Sequence, residues 1–145
     1  MAMFSTRVTS RSRYKPAMRD YERKVKEFIG RAGNVVRNTA VQSINQGSKS
    51  GVVYELYNPR RTHRASASGE PPATDTGYLV NNIVITMDSA DRGLSVNVES
   101  RAEYSSFLEF GTSKMSARPF MQPALEQNKQ RIKNIAKRMI KARRL

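Results

Sequence analysis

Residues 105–125 of the chain read SSFLEFGTSKMSARPFMQPAL, a stretch that predicts a short helix, a stop and a second helix. The helical turn carries Phe107, Leu108 and Phe110. It ends at Gly111, the residue type that most often adopts the left-handed conformation after a helix. A polar connection then separates this turn from the next element.

The connection ends in an arginine–proline corner. Pro119 disfavours the helical conformation at Arg118 and pushes that residue toward an extended backbone. A second helix can begin just afterwards, with Pro123 near its first turn, where proline is well tolerated. The predicted structural motif therefore comprises Gly111, Pro119, Phe120 and Pro123.

Two long amphipathic helices are predicted at the ends of the chain. From about Pro16 to Asn45, apolar residues recur at steps of three and four, and residues 47–51 (GSKSG) supply a stop. Gly30 and Gly33 lower the helix propensity, and they allow either close packing or a bend. The final helix is predicted from about Pro119 to Arg143, and its apolar stripe includes Leu125.

Three segments between these helices predict strands: Val52–Tyr57, Ile83–Met87 and Leu94–Glu99. The last two are separated by DSADRG, which is typical of a hairpin loop. The predicted fold is α+β, with an antiparallel or mixed sheet of three to five strands packed by a long N-terminal and a long C-terminal helix.

The 145 residues predict one domain. We expect residues 1–15 to form a flexible basic arm and residues 16–145 to form a single α+β domain. Residues 58–76 (NPRRTHRASASGEPPATDT) show no periodicity and predict a long loop within it. Loops of this length tend to be functional or disordered.

Charge is distributed unevenly along the sequence. The net charge is +14, made of +10 over residues 1–64, −4 over residues 65–128 and +8 over residues 129–145. Such a chain could meet a polyanion at its ends or assemble head to tail through opposite charges. Solubility alone is the simpler explanation.

The sequence shows no pattern of an enzyme, a metal site or a cofactor site. The single histidine, His63, lies among arginines without a nucleophile elbow. There is no cysteine, and the carboxylates lack metal-ligand spacing. No apolar run approaches the ~20 residues of a membrane span, and the first residues lack the apolar core of a signal peptide. We therefore predict no catalysis, no cofactor and no membrane partner.

The basic ends favour contact with phosphates or with an acidic partner, because such contacts need no base-reading motif. An ordinary solvated helix face is the alternative. The residues proposed for this contact are Arg7, Arg11, Arg13, Lys137, Arg138, Lys141, Arg143 and Arg144. For the aromatic residues Phe107, Phe110 and Phe120, a place in the core is favoured over base stacking. For Met121, a place in the core is favoured over a role in subunit contacts.

Two blocks of sequence resemble a known family. They are residues 63–79 (HRASASGEPPATDTGYL) and residues 104–125 (YSSFLEFGTSKMSARPFMQPAL), and with the strands between them they cover Val52–Leu125. The blocks are similar to the tail-component family of long-tailed, double-stranded-DNA bacteriophages, which are neck or tail-completion proteins at the head–tail junction. Ser68 departs from the family pattern, which often has proline at this position.

The resemblance implies a virion structural protein that forms an oligomeric ring, a hexamer or a dodecamer, around the DNA passage. It implies head-closure or connector proteins and tail-terminator or tail-tube proteins as partners, and assembly in the host bacterial cytoplasm. Residues proposed for the subunit interface are Arg60, Arg61, Arg64, Glu70, Glu109 and Arg118, with Arg118 placed to pair with Glu109 or with a neighbour's carboxylate. The alternative is a small basic protein that binds nucleic acid without sequence specificity.

Overall fold

The computed structural model describes residues 14–90 and 93–141. The elements follow in chain order as α1 (Tyr14–Gln46), β1 (Val53–Tyr57), β2 (Arg60–Arg64), α2 (Tyr78–Asn81), β3 (Ile83–Ala90), β4 (Gly93–Ser100), α3 (Ser105–Phe110) and α4 (Met121–Lys141). This arrangement confirms the predicted α+β class with a long helix near each end.

The β3–β4 hairpin lies against α1. Its inward residues alternate along each strand, so that Ile85 pairs with Val98 and Met87 pairs with Val96 on one face. A Cβ atom at Gly33 would lie 2.8 Å from a methyl carbon of Val96. The glycines of α1 therefore serve close packing of the helix on the hairpin.

The four strands form two separate two-stranded antiparallel sheets, β1–β2 and β3–β4. Within the described residues each sheet has two strands, slightly fewer than the three to five that the sequence predicts for one sheet. The reason lies in the burial of the first hairpin, because four of the five residues in each of β1 and β2 are exposed. Neither face of this strand pair is buried in the core, so packing does not hold it beside β3–β4.

The prediction of a continuous loop over residues 58–76 is wrong for residues 60–64, which form strand β2. The register pairs Tyr57 with Arg60 and Val53 with Arg64, across a connection formed by Asn58 and Pro59. The sequence RRTHR (residues 60–64) does not predict a strand, because it has no apolar residue and no alternation of apolar and polar residues. Residues 65–77 form no helix or strand.

The core lies where α1, α4, α2 and β3 meet. Its buried members are Val36, Ala40, Ile44, Leu79, Ile83, Ala102, Phe120 and Ala124. Asn128 of α4 is also buried, and its amide donates to the Thr39 hydroxyl at 2.8 Å and to the Ala124 carbonyl at 2.8 Å. Leu125, predicted for the apolar stripe of the final helix, is instead 50% exposed, because the stripe runs through Ala124 and Asn128.

Where the structure describes them, the ends of the long helices lie within two residues of the predicted ends. Tyr14 and Lys15 belong to α1 and not to the basic arm that the sequence predicts. The remainder of the predicted arm, residues 1–13, lies outside the described residues, as does the predicted end of the final helix at Arg143.

The aromatic residues of the motif separate into buried and exposed. Phe120 is 1% exposed and lies in the core, as predicted, and Met121 packs beside it. The same prediction is wrong for Phe107 and Phe110, which are 55% and 79% exposed. Of the three apolar residues of α3, only Leu108 packs against the core. Phe107 and Phe110 are three residues apart and share the other side of the helix.

We expect Phe120→Ala to lower the free energy of unfolding by about 3–5 kcal/mol, because it removes a fully buried ring. The matched variant Phe110→Ala should lower it by less than about 0.5 kcal/mol, since that ring already lies in solvent. Chemical denaturation of both variants measures the difference. Equal losses of stability would contradict the packing described above.

Candidate assembly surfaces

A carboxylate of α3 holds the start of α4. The backbone N–H groups of Phe120 and Met121 donate to Oε2 of Glu109 at 2.9 and 3.0 Å, and that of Gln122 donates to Oε1 at 2.9 Å. The next residue, Pro123, has no N–H group. All the N–H groups that a helix leaves without an internal acceptor at its start are thus accounted for, and the negative charge faces the positive end of the helix dipole.

The arginine–proline corner ties α3 to the segment that follows β2. The Arg118 backbone N–H donates to the Leu108 carbonyl at 2.6 Å, and the Arg118 Nε–H donates to the Ser66 carbonyl at 3.2 Å. The Gly69 N–H donates to the Ala117 carbonyl at 3.0 Å. The corner therefore braces two chain segments that are about fifty residues apart in sequence.

The possibility that Arg118 pairs with Glu109 in the same chain is wrong. Both carboxylate oxygens of Glu109 already accept backbone N–H groups, and no ion pair joins the two side chains in the described ranges. A pairing of Arg118 with a neighbour's carboxylate remains a prediction.

Gly111 allows the chain to leave α3 at this point. Its φ is +76° and its ψ is −179°, a backbone conformation that is largely restricted to glycine. The predicted left-handed cap is thus only partly right, because the sign of φ is as expected but ψ is extended. A Cβ atom here would lie 2.8 Å from both the Ala117 nitrogen and the Met115 oxygen, so the following segment folds directly back over the glycine.

A second carboxylate secures the segment after β2. Glu70 accepts hydrogen bonds from the Ser50 hydroxyl at 2.6 Å, the Ala67 N–H at 2.8 Å and the Ser50 N–H at 2.8 Å. These hydrogen bonds, that of the Ser50 hydroxyl first, lower the pKa of the Glu70 carboxyl from about 4.5 to about 2. Nearby Lys49 donates to the Pro71 carbonyl at 3.0 Å, and burial lowers the pKa of its ammonium group.

Four exposed aromatic rings form a surface that we call the aromatic strip: Tyr78, Tyr104, Phe107 and Phe110. The rings of Tyr78 and Tyr104 lie 6.1 Å apart between centroids. Tyr104 caps the start of α3, and Phe107 and Phe110 follow it at steps of three, so each of these residues lies beside the next. All four are between 42% and 79% exposed. Contiguous apolar surface of this kind marks contact sites in many proteins.

The β1–β2 hairpin presents a second surface. Alternation along the strands places Val53, Glu55 and Tyr57 on one face, opposite Arg64, Thr62 and Arg60. We call these six residues the outer hairpin face. Tyr57 is 77% exposed. Within the described ranges, neither Arg60 nor Arg64 has a hydrogen bond or an ion pair to another side chain.

The inner face of the same hairpin borders a cleft of about 360 Å³. Tyr54 and His63 line it from the hairpin, and Tyr78 and Tyr104 line it from the body. The carboxylate of Asp75 pairs with Arg61 at 2.6 Å and lies 4.0 Å from Nδ1 of His63. Arg61 is therefore separated from the other two predicted interface arginines, which lie on the opposite face.

Exposed cations line the solvent side of α4. Lys137, Arg138 and Lys141, predicted to contact DNA or an acidic partner, are all exposed, and within residues 93–141 none has an ion pair. The other residues proposed for this contact (Arg7, Arg11, Arg13, Arg143 and Arg144) lie outside the described residues.

Metal ligands do not cluster in the part of the chain that the structure describes. It contains no group of three histidine, cysteine, aspartate or glutamate side chains that could hold a metal ion. None of its helices is both long enough and apolar enough to cross a membrane.

The six predicted interface residues therefore separate into two groups. Arg60 and Arg64 lie free on the outer hairpin face, whereas Arg61, Glu70, Glu109 and Arg118 are bonded within the chain. The aromatic strip was missed as a surface, because an aromatic residue on a short apolar turn is more often buried. The spacing of Tyr104, Phe107 and Phe110 by threes was the available signal.

Together, the fold and the site define a small α+β protein whose described residues include two exposed surfaces, the aromatic strip and the outer hairpin face. Over residues 15–111 its sequence matches the family described as "Bacteriophage HK97-gp10, putative tail-component". The match covers about two thirds of the chain, and the chain therefore belongs to this family of phage tail components. It includes most of α1 and ends at Gly111, so the arginine–proline corner and α4 lie beyond it. No curated protein and no solved structure gives a significant match.

Acid should weaken the fold through Glu70. Its pKa is lower in the folded chain than in the unfolded one, so its stabilising effect is complete above about pH 4.5 and is lost as the pH falls toward about 2. Glu70→Gln should flatten the dependence of unfolding free energy on pH in this window, and Ser50→Ala should flatten it in part. Denaturant titrations at several pH values measure this. An unchanged slope in Glu70→Gln would contradict the assignment.

Proposed function

We propose that this protein is a virion structural subunit that forms an oligomeric ring at the phage head–tail junction, as a neck or tail-completion protein. The ring would support head–tail joining and the passage of DNA. Membership of the tail-component family supports the coarser part of this proposal, a structural protein of the phage tail located in the virion.

The observation that carries the ring proposal is the amount of apolar surface left exposed. Among the described residues, twelve large apolar side chains are exposed, whereas nine apolar residues, four of them alanines, are buried. A small core beside a large exposed apolar surface is typical of a subunit that buries more surface on assembly. The aromatic strip and Tyr57 hold five of those exposed side chains.

A closed ring with one contact repeated around it needs two different complementary surfaces on each subunit. The outer hairpin face and the aromatic strip differ in chemistry, since one carries free guanidinium groups and the other carries aromatic rings. Head-closure or connector proteins above the ring and tail-terminator or tail-tube proteins below it are the further partners in this proposal.

The proposal also assigns the protein no catalytic activity. His63 is the one histidine of the chain, and Asp75 beside it is paired with Arg61. A loss of head–tail joining in a His63→Ala phage, with assembly of the purified protein intact, would argue for an activity at this cleft instead.

Assembly of the purified chain tests the proposal. We expect ring-shaped particles by electron microscopy and a concentration-dependent increase in mass by sedimentation velocity. A phage that lacks the gene should accumulate filled heads and complete tails that do not join. A chain that stays monomeric at high concentration, with head and tail particles added, would contradict the ring.

The exposed cations of α4 favour a second candidate function, binding of double-stranded DNA without sequence specificity. Lys137, Arg138 and Lys141 share one end of the helix, and no carboxylate within the described residues neutralises them. Phosphate contacts of this kind release counterions, so affinity falls steeply as salt rises.

We expect the triple variant Lys137→Gln, Arg138→Gln, Lys141→Gln to reduce the slope of log affinity against log salt by about 2–3, since each phosphate that the protein neutralises adds about 0.9 to that slope. The control is the double variant Lys24→Gln, Lys26→Gln on α1. Binding isotherms with a DNA duplex at several salt concentrations measure the slopes. The same slope in the triple variant and the wild type would show that α4 does not contact DNA.

A further inference from the structure

We propose that the outer hairpin face of one subunit docks on the aromatic strip of a second copy of this chain. This inference rests on the proposed function, since it names the two surfaces through which the ring would close. It gives the contact a direction, from the hairpin of one copy to α3 of the next.

The β1–β2 hairpin lacks a partner on its outer face among the described residues. Its strands contact chiefly one another, and a two-stranded hairpin alone is only marginally stable in water. The inner face is partly covered, because Tyr54 and His63 border the cleft and Leu56 is partly buried. The outer face carries Tyr57, 77% exposed, and nothing in the described ranges packs over it.

The outer hairpin face and the aromatic strip are chemically complementary. Arg60 and Arg64 bring two unpaired guanidinium groups to the outer hairpin face. Guanidinium groups stack favourably on the faces of tyrosine and phenylalanine rings, and the strip offers four such rings. Beside Tyr104, the exposed carboxylate of Glu103 has no hydrogen bond or ion pair within the described residues, and it could pair with one of these arginines.

The outer hairpin face and the aromatic strip of one chain do not face each other. Tyr78 and Tyr104 of the strip border the cleft that the inner hairpin face closes, whereas the outer face points away from that cleft. The outer face of a chain therefore cannot cover its own strip, although it can reach the strip of another copy. Because the two surfaces differ and face different directions, a contact from the hairpin of one copy to the strip of the next can repeat and give a ring or a filament. A twofold dimer would instead need both contacts to form between the same two copies.

The absence of cysteine allows a direct test by disulfide cross-linking. Two single variants, Tyr57→Cys and Phe110→Cys, are prepared with tags of different size, mixed and oxidised. We expect a cross-linked heterodimer, and we expect a ladder of multimers from the double variant. Both side chains are more than three quarters exposed, so thermal denaturation should show that each variant folds like the wild type.

The control pairs Tyr57→Cys with Met18→Cys. Met18 is 46% exposed on α1, and it lies roughly 39 Å along the helix from Ile44, which is in the core beside Phe120. This pair should cross-link only at the background level.

A second measurement is self-association of the double variant Arg60→Glu, Arg64→Glu, which we expect to be weaker by about tenfold. The double variant Arg19→Glu, Arg31→Glu makes the same charge change on α1 and should associate normally.

Two outcomes separate this inference from the proposed function. If rings form but positions 57 and 110 cross-link no better than the control, or if position 57 links to position 57, the assignment of surfaces is overturned and the ring survives. If the chain stays monomeric with its head and tail partners present, the ring and the surfaces are both overturned.

Discussion

The contact between Glu109 and the start of α4 is the constraint on which the shape of the molecule most depends. Its carboxylate accepts three successive backbone N–H groups, and Pro123 removes the need for a fourth acceptor. The direction of this side chain fixes the rotation of α3 about its axis. With Leu108 turned into the core and Glu109 turned to α4, Phe107 and Phe110 are left on the solvent side.

The segment between the two helices extends the same constraint to the rest of the chain. Gly111 permits the sharp return, and Arg118 then connects α3 to residue 66 through its backbone and side chain. Glu70 anchors the same loop to Ser50, just before the first hairpin. These hydrogen bonds join the chain segments on both sides of the first hairpin to each other and to α3, which carries part of the aromatic strip. Fixed relative orientation is what a subunit needs if a repeated contact is to close into a ring.

Local signals in the sequence were sufficient for the α+β class, the two long helices, the β3–β4 hairpin and the burial of Phe120. Local signals did not predict features that depend on contacts with residues far away in the sequence. Strand β2 shows no apolar alternation, and neither face of its hairpin is buried in the core. Phe110 is exposed because Leu108 packs against the core and Glu109 turns to α4. The interface role of Arg118 was inferred from its extended backbone, yet its side chain meets Ser66, a contact that no spacing in the sequence indicates. The basic arm and the ring stay predictions.

Amide hydrogen exchange at Phe120, Met121 and Gln122 is a direct measure of how firmly Glu109 holds α4, because these three N–H groups donate to its carboxylate. We expect these amides to be protected in the wild type and to exchange about tenfold faster in Glu109→Ala, with no such change in the exposed control Glu103→Ala. Equal exchange rates at these three amides in the wild type and Glu109→Ala would show that the carboxylate does not hold α4. The Glu109 contact would then not explain why the aromatic strip is exposed.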